Sequence, residues 1–280
     1  MKALHINSTL PFQGAEFFIE DPIILCTILS ALMWRKLNGE IKLYTDKVGY
    51  DYYKRVGLLG LYDGGIDVDT LEHLPSTIDY RIFWAGAKLF ALRKEGTPIA
   101  MIDNDLVVWK PIASHFASHS VTVLHTENLD EQVYPSGYVL LTRNGYQYNP
   151  AWDWNARPCN TALACFTDAA FLKYYIGCAI DFMEGNAAPA HENVSRMVFA
   201  EQRILAMCAA EKGIAVHTLL GDPFEQQDLV THIWGAKVYA RNDPGQNRIL
   251  CNFLLQCILR HFPDFSFGTP KLQSLLETYN

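Results

Sequence analysis

The chain of 280 residues contains no CxxC, no GxGxxG, no P-loop and no GxSxG. Thiol-knuckle zinc, dinucleotide, ATP P-loop and serine-hydrolase readings therefore lack their usual signatures. Seven cysteines (Cys26, Cys159, Cys165, Cys178, Cys208, Cys251, Cys257) are an odd number set among apolar residues, which predicts buried, reduced thiols. No apolar run suffices for a membrane span: the longest, "PIILCTILSALMW" from Pro22 to Trp34, falls short of the roughly 20 residues a bilayer requires. The opening "MKALHINSTL" lacks the apolar region and cleavage site of a secretory signal. A cytoplasmic location is expected, with peripheral contact to the inner membrane face left open, and "NST" and "NVS" then read as chance sequons. A basic surplus is also missing. The net charge of −7 argues against a general nucleic-acid binder, though a local site for one small anion remains compatible with it.

With 50% hydrophobic and 19% charged residues, the chain is too apolar for disorder and should fold throughout, as one domain with soft internal boundaries near 110 and 240. Strand and helix alternate over the first 105 residues. "KALHI" leads into polar "NSTLPFQG", Asp21 and Pro22 open a helix ending near "LNGE", and "IKLYTD" is a second strand. "YDYYKRVGLLGLYDG" reads as helix and turn, "GIDVD" as a third strand, "DYRIFWAGAKLFALRKEG" as a helix stopped by Gly96, and "TPIAMID" as a fourth strand. Such alternation predicts an α/β fold with a mostly parallel sheet and a ligand crevice at the strands' carboxyl ends. Later segments ("VTVLH", "SGYVLLT", "TALACF") are strands with little helix between them, so antiparallel additions are expected. "AEQRILAMCAAEKG" is a helix, and "DPGQNRILCNFLLQCILRHFP" a C-terminal one.

The stretch "AMIDNDLVVWKP" places Asp103 and Asp105 at the end of a buried strand. In an extended segment residues i and i+2 share a side, so the two carboxylates converge while Asn104 points away. Two like charges there are costly unless solvated, protonated or neutralised. A divalent ion is the economical answer, and hard oxygen ligands suit Mn²⁺ or Mg²⁺. Alone, the pair reads more readily as a solvated turn. "HIWGAK" adds His232, a close-approach Gly235 and Lys237, which together could supply an imidazole ligand, room for a phosphate and a cation to meet it.

In their order, Lys88 in "WAGAKLF", the DxD, "CNTALACF", "EQ" and the late "HxxGxK" resemble the nucleotide-sugar glycosyltransferases of the GT-A fold. The similarity is greatest to the DxD-containing sugar-binding-region proteins and the glycogenin-like and lipopolysaccharide galactosyltransferases. It implies a Rossmann-like GT-A domain and a metal held by Asp103, Asp105 and His232. It also implies donor contacts from Asn7, Thr45, Asp46, Lys88, Asp103, Asn104, Asn160, Gly235 and Lys237, with Glu201 and Gln202 near the reacting face. The implied donor is a nucleoside-diphosphate sugar, with UDP-sugars first, and the acceptor a glycan or lipid-linked saccharide. Lys88 stands where an arginine is usual, and the chain departs from the pattern in three places: the His-to-Lys spacing is one residue shorter than in the glycogenin-like group, the helix before the DxD lacks the Asp that commonly precedes the basic residue, and "EQ" replaces Asp-Gln.

Glycosyl transfer requires stabilisation of charge on a leaving diphosphate, which cationic groups supply directly. A retaining outcome, implied by the resemblance, needs no strong base. Trp152, Asp153 and Trp154 offer either an acceptor platform with Asp153 as base, or core packing with Asp153 capping a turn. A haloacid-dehalogenase-type phosphatase is a second reading of "DNDLV", with "GDPFEQQD" as an acidic motif, and a non-catalytic sugar-nucleotide-binding module is a third. His115 and His119 in "SHFASHS" read as surface residues.

Overall fold

The computed structural model describes residues 1–12, 16–137, 140, 142–143, 145–186, 194–222 and 228–280. In chain order, β1 (Ala3–Asn7), α1 (Asp21–Leu37), β2 (Ile41–Thr45), α2 (Lys47–Val56), β3 (Ile66–Asp67), α3 (Asp69–Glu72), α4 (Ala87–Glu95) and β4 (Ile99–Ile102) make the alternating half. There follow β5 (Leu106–Val108), β6 (Val121–Val123), β7 (Leu163–Phe166), α5 (Ala169–Gly185), α6 (Val194–Val198), a π turn (Phe199–Arg203) and α7 (Ile204–Glu211). The chain ends with β8 (Val216–Thr218), β9 (Val230–His232), α8 (Trp234–Asn242), α9 (Pro244–His261) and α10 (Pro270–Tyr279).

Seven strands form one sheet in the order β3-β2-β1-β4-β7-β6-β8. All pairings are parallel except the two made by β7, which runs against β4 and β6. This is the expected mixed α/β architecture, mostly parallel with an antiparallel addition. The period of two along each strand divides the core. Ala3, Ile41, Leu43, Ala100, Ile102, Leu163 and Cys165 face one apolar layer with α1 and α9. Leu4, Tyr44, Ile99, Met101, Ala164 and Phe166 face the other, with α4, α5 and α7. Strands buried on both faces read as continuous apolar runs, which is why "IAMI" shows no alternation.

Three local expectations change. Residues 79–86 form turns rather than the first half of a helix: the Asp79 carboxylate accepts from the Arg81 N–H at 3.0 Å and from its guanidinium, and Asp79 C=O accepts from the Ile82 and Phe83 N–H groups at 3.0 Å. The C-terminal region is three helices: Asp243 caps α9 ahead of Pro244, and Thr269 caps α10 ahead of Pro270. Glu20 occupies the N-cap position of α1, with Asp21 and Pro22 in its first turn. "SGYVLLT" lies partly outside the described residues, and within them Thr142 forms an isolated bridge to Asn186. All seven cysteines are free thiols, as expected; five are buried, whereas Cys178 and Cys257 are half-buried. No helix among the described residues is long and apolar enough to cross a membrane.

His5 on β1 is fully buried, with Nε2 3.1 Å from Ser30 Oγ and Nδ1 3.3 Å from Tyr62 Oη. Burial pushes its imidazole down to about 3 from the usual 6.5, against a small upward pull from Asp105. With the folded value depressed, the neutral imidazole's contribution is intact above pH 6.5 and is lost as pH falls towards 3. Urea unfolding should therefore show about 2 kcal/mol less stability at pH 5 than at pH 7 from this residue. His5→Gln should remove that part of the pH dependence.

Candidate active site at the carboxyl edge of the sheet

The carboxyl ends of β1, β2 and β4 lie together, so Asn7, Thr45, Asp46 and Asp103 share one edge. Because β7 is reversed, the residues entering it arrive at this same edge, and Asp103 N–H donates to Ala162 C=O at 2.8 Å. Asp103 C=O accepts from Leu106 N–H at 3.1 Å. The two aspartates thus stand in a tight turn, not in the extended segment that the sequence suggested, and the turn rather than strand alternation brings them together.

"LVV" after the turn is β5, and it pairs antiparallel with β9, Leu106 opposite His232. Ile233 N–H donates to Asp105 C=O at 3.0 Å, and Trp109 Nε1 donates to Thr231 Oγ1 at 2.8 Å. This ribbon carries His232 across more than 120 positions of sequence to Asp105. One turn into α8, Lys237 reaches the same carboxylate. Its Nζ lies 2.5 Å from Asp105 Oδ2, and His232 Nε2 lies 3.4 Å from Asp105 Oδ1. Burial would raise the Asp105 carboxyl, but His232 and Lys237 outweigh it and hold it well below the usual range. A Cβ added at Gly235 would meet nothing within 4 Å, so the space beside it is open.

A second cluster adjoins. Lys88 opens α4, whose first turn lies at the carboxyl edge because α4 runs against β4. Its Nζ is 2.6 Å from Asp103 Oδ1 and 2.9 Å from Glu201 Oε1. Burial opposes the ammonium, yet Asp103 and Glu201 together hold its pKa above the ordinary value. Glu201 is buried in the π turn, and burial raises its carboxyl, with Lys88 pulling the other way. π turns inside helices are frequent at functional sites. The helix expected from "AEQRIL" is continuous only from Ile204, and Gln202 accepts from Tyr134 Oη at 2.6 Å.

Asp103, Asp105 and His232 present ligand atoms that all lie within 4.8 Å of one another. Among the described residues His232 Nε2 is buried without a hydrogen-bond partner. This imidazole nitrogen, with only the 3.4 Å contact to Asp105 Oδ1 and no well-aligned hydrogen bond, joins two carboxylates in a donor set that a divalent ion fits.

The other sequence candidates are placed as follows. Asn7 Nδ2 and Asn104 Nδ2 both donate to the buried Tyr53 Oη, at 3.1 and 3.3 Å, which ties the aspartate turn to β1 and α2. Thr45 is buried. Asp46 caps α2 through Gly49 N–H at 2.9 Å and accepts from Thr9 N–H at 2.6 Å and Thr9 Oγ1 at 2.9 Å. That carboxylate shapes the loop after β1. Asp46→Ala should cost about 2 kcal/mol in a urea titration, from the lost cap and two stranded donors. Asn160 Nδ2 donates to Glu127 Oε1 at 2.8 Å. Trp152 is buried and Trp154 stacks on Phe199 at 5.7 Å beneath the Arg203 guanidinium, while Asp153 accepts from Asn155 N–H. Trp152 thus belongs to the core and the half-buried Trp154 packs against it, while Asp153 caps a turn. His115 and His119 lie apart from this cluster, in rings stacked with His217. Tyr53 and Glu127 were not singled out in the sequence; "VTVLHTE", a strand running into polar residues, carried the signal for Glu127.

Residues 18–264 match a family described as a family of unknown function, DUF6734. The chain belongs to that family. The matched span includes every candidate residue except Asn7. No curated protein matches the chain. Among solved structures, mouse xyloside xylosyltransferase 1 is similar at 11% identity and a TM-score of 0.40, over 78% of this chain and 85% of that one. A nucleoside-diphosphate-sugar pyrophosphorylase from Vibrio cholerae is similar at 13% identity and a TM-score of 0.41, over 82% and 94%. The glycosyltransferase GlyE of Streptococcus pneumoniae is similar at 12% identity and a TM-score of 0.38, over 99% of this chain and 59% of that one.

Proposed function

We propose that this family member is a divalent-metal-dependent glycosyltransferase that takes a sugar from a nucleoside-diphosphate sugar, with UDP-sugars the first candidates, and passes it with retention to a hydroxyl of a glycan or lipid-linked saccharide. The observation that carries the reading is the meeting of Asp103, Asp105, His232 and Lys237 at the carboxyl edge of a mostly parallel sheet. Asp103, Asp105 and His232 would hold Mn²⁺ or Mg²⁺, which when bound supplies positive charge to the leaving diphosphate. Lys237 offers a second cation on the same side, and the open space at Gly235 admits a phosphate. Lys88 and Glu201 fix Asp103 from behind. The ribbon of β5 and β9 holds His232 beside Asp105, so little reorganisation of these two is needed as charge develops.

The phosphatase alternative would use Asp103 as nucleophile, and its acidic motif, "GDPFEQQD", falls largely outside the described residues. Phosphate release from p-nitrophenyl phosphate, or trapping with beryllofluoride, would favour it. A panel of nucleotide sugars incubated with the protein and Mn²⁺ tests the proposal. A nucleoside diphosphate should be released, not pyrophosphate, and the same sugar nucleotide should raise Tm only when metal is present. Stabilisation that persists unchanged in chelator would refute the metal assignment.

A further inference from the structure

Each carboxylate of the aspartate pair carries an ammonium, but the two ammoniums are not held alike. Lys88 lies between Asp103 and Glu201, and Glu201 is itself anchored, its C=O accepting from Tyr175 Oη at 2.7 Å. If Asp103 turns to another cation, Lys88 keeps Glu201. Among the described residues Lys237 has one carboxylate, Asp105, and it comes from the first turn of α8, a helix in which Ala240 alone is buried. Asp105 in turn serves both Lys237 and His232, through different oxygens.

We propose that Lys237 is an exchangeable counter-ion: a divalent ion entering among Asp103, Asp105 and His232 displaces its ammonium from Asp105, and a phosphate oxygen of the incoming diphosphate takes that ammonium up. The inference rests on the metal and nucleotide-sugar reading of the site and adds a dependence to it. Two cations sharing one carboxylate repel, and with the Asp105 side chain only 8% exposed, water screens them poorly. Without a diphosphate, metal binding strands the ammonium; with one, both cations have partners. The exchange breaks no covalent bond and moves no proton, since the lysine stays charged and the carboxylates stay ionised. Metal and diphosphate should therefore strengthen each other's binding by the same factor, because linkage is reciprocal.

Inorganic pyrophosphate is the probe common to every nucleoside diphosphate. Mn²⁺ affinity is read from the spin resonance of the free ion, with and without pyrophosphate, in the wild type, Lys237→Met, Lys237→Gln and Asp105→Asn. In both Lys237 variants Mn²⁺ alone should bind about tenfold more tightly, while pyrophosphate at saturating Mn²⁺ should bind about tenfold more weakly, opposite shifts within the usual range of coupling. Weaker Mn²⁺ binding in both variants would mean that Lys237 only orients Asp105, and the proposal fails. A change in Mn²⁺ affinity below about threefold would make it a screened bystander, and the proposal fails again. If the wild type takes up no Mn²⁺ in either condition, or Asp105→Asn binds it equally well, the metal reading itself falls and the exchange with it.

Discussion

Asp105→Asn should abolish Mn²⁺ binding and lower metal-dependent release of nucleotide from a sugar nucleotide by about a thousandfold or more, the scale of losing a preorganised charge in a water-poor site. Asparagine keeps the shape and one carbonyl oxygen, so the turn from Asp103 to Leu106 and the Asp105 C=O to Ile233 bond should survive. The cost to folding should be modest. Lys237 loses its carboxylate, but its side chain is 21% exposed and its ammonium can hydrate, so about 1–2 kcal/mol is expected rather than the larger penalty of a fully stranded charge. A calorimetric titration with Mn²⁺, alongside a urea curve, separates the two effects. Metal binding that survives in a folded Asp105→Asn protein would remove Asp105 from the donor set.

The two halves of this site were legible as residue types, and only the resemblance carried by their order joined them at one metal. "DND" after an apolar run and "HIWGAK" each carry the residue types of metal and phosphate chemistry, although the aspartate pair alone reads more readily as a solvated turn. What joins them is the pairing of Leu106 with His232, and short runs such as "LVV" and "VTH" carry too little pattern to reveal a partner so far along the chain. The alternating half of the sheet was readable from periodicity and glycine stops. The turns over 79–86 were not, since "DYRIFWAG" has helix-compatible spacing. Nor could a 3.6-residue period signal the π turn that sets Glu201 beneath Lys88. Asp46 shows the opposite limit. Its position at a strand end suits a ligand contact, yet its oxygens are committed to Gly49 and Thr9, partners that sequence spacing does not single out.

Lys88→Met should be the most destabilising substitution in the site, by about 3–5 kcal/mol at neutral pH, because it leaves Asp103 and buried Glu201 facing each other without the ammonium between them. In a domain of this size that corresponds to a fall in Tm of roughly 10 °C. Glu201 already has a raised folded pKa from burial, and losing Lys88 removes what pulls it down. A carboxyl raised on folding contributes stability below its unfolded value of 4.5 and loses it as pH rises, so the deficit of Lys88→Met should shrink towards pH 4. Glu201→Gln in the same chain should restore about half of the loss at pH 7, since a neutral amide no longer repels Asp103. A double-mutant cycle by urea titration measures this. If the two substitutions instead add independently, Lys88 and Glu201 do not act as a pair, and the anchored behaviour that distinguishes Lys88 from Lys237 has no energetic basis.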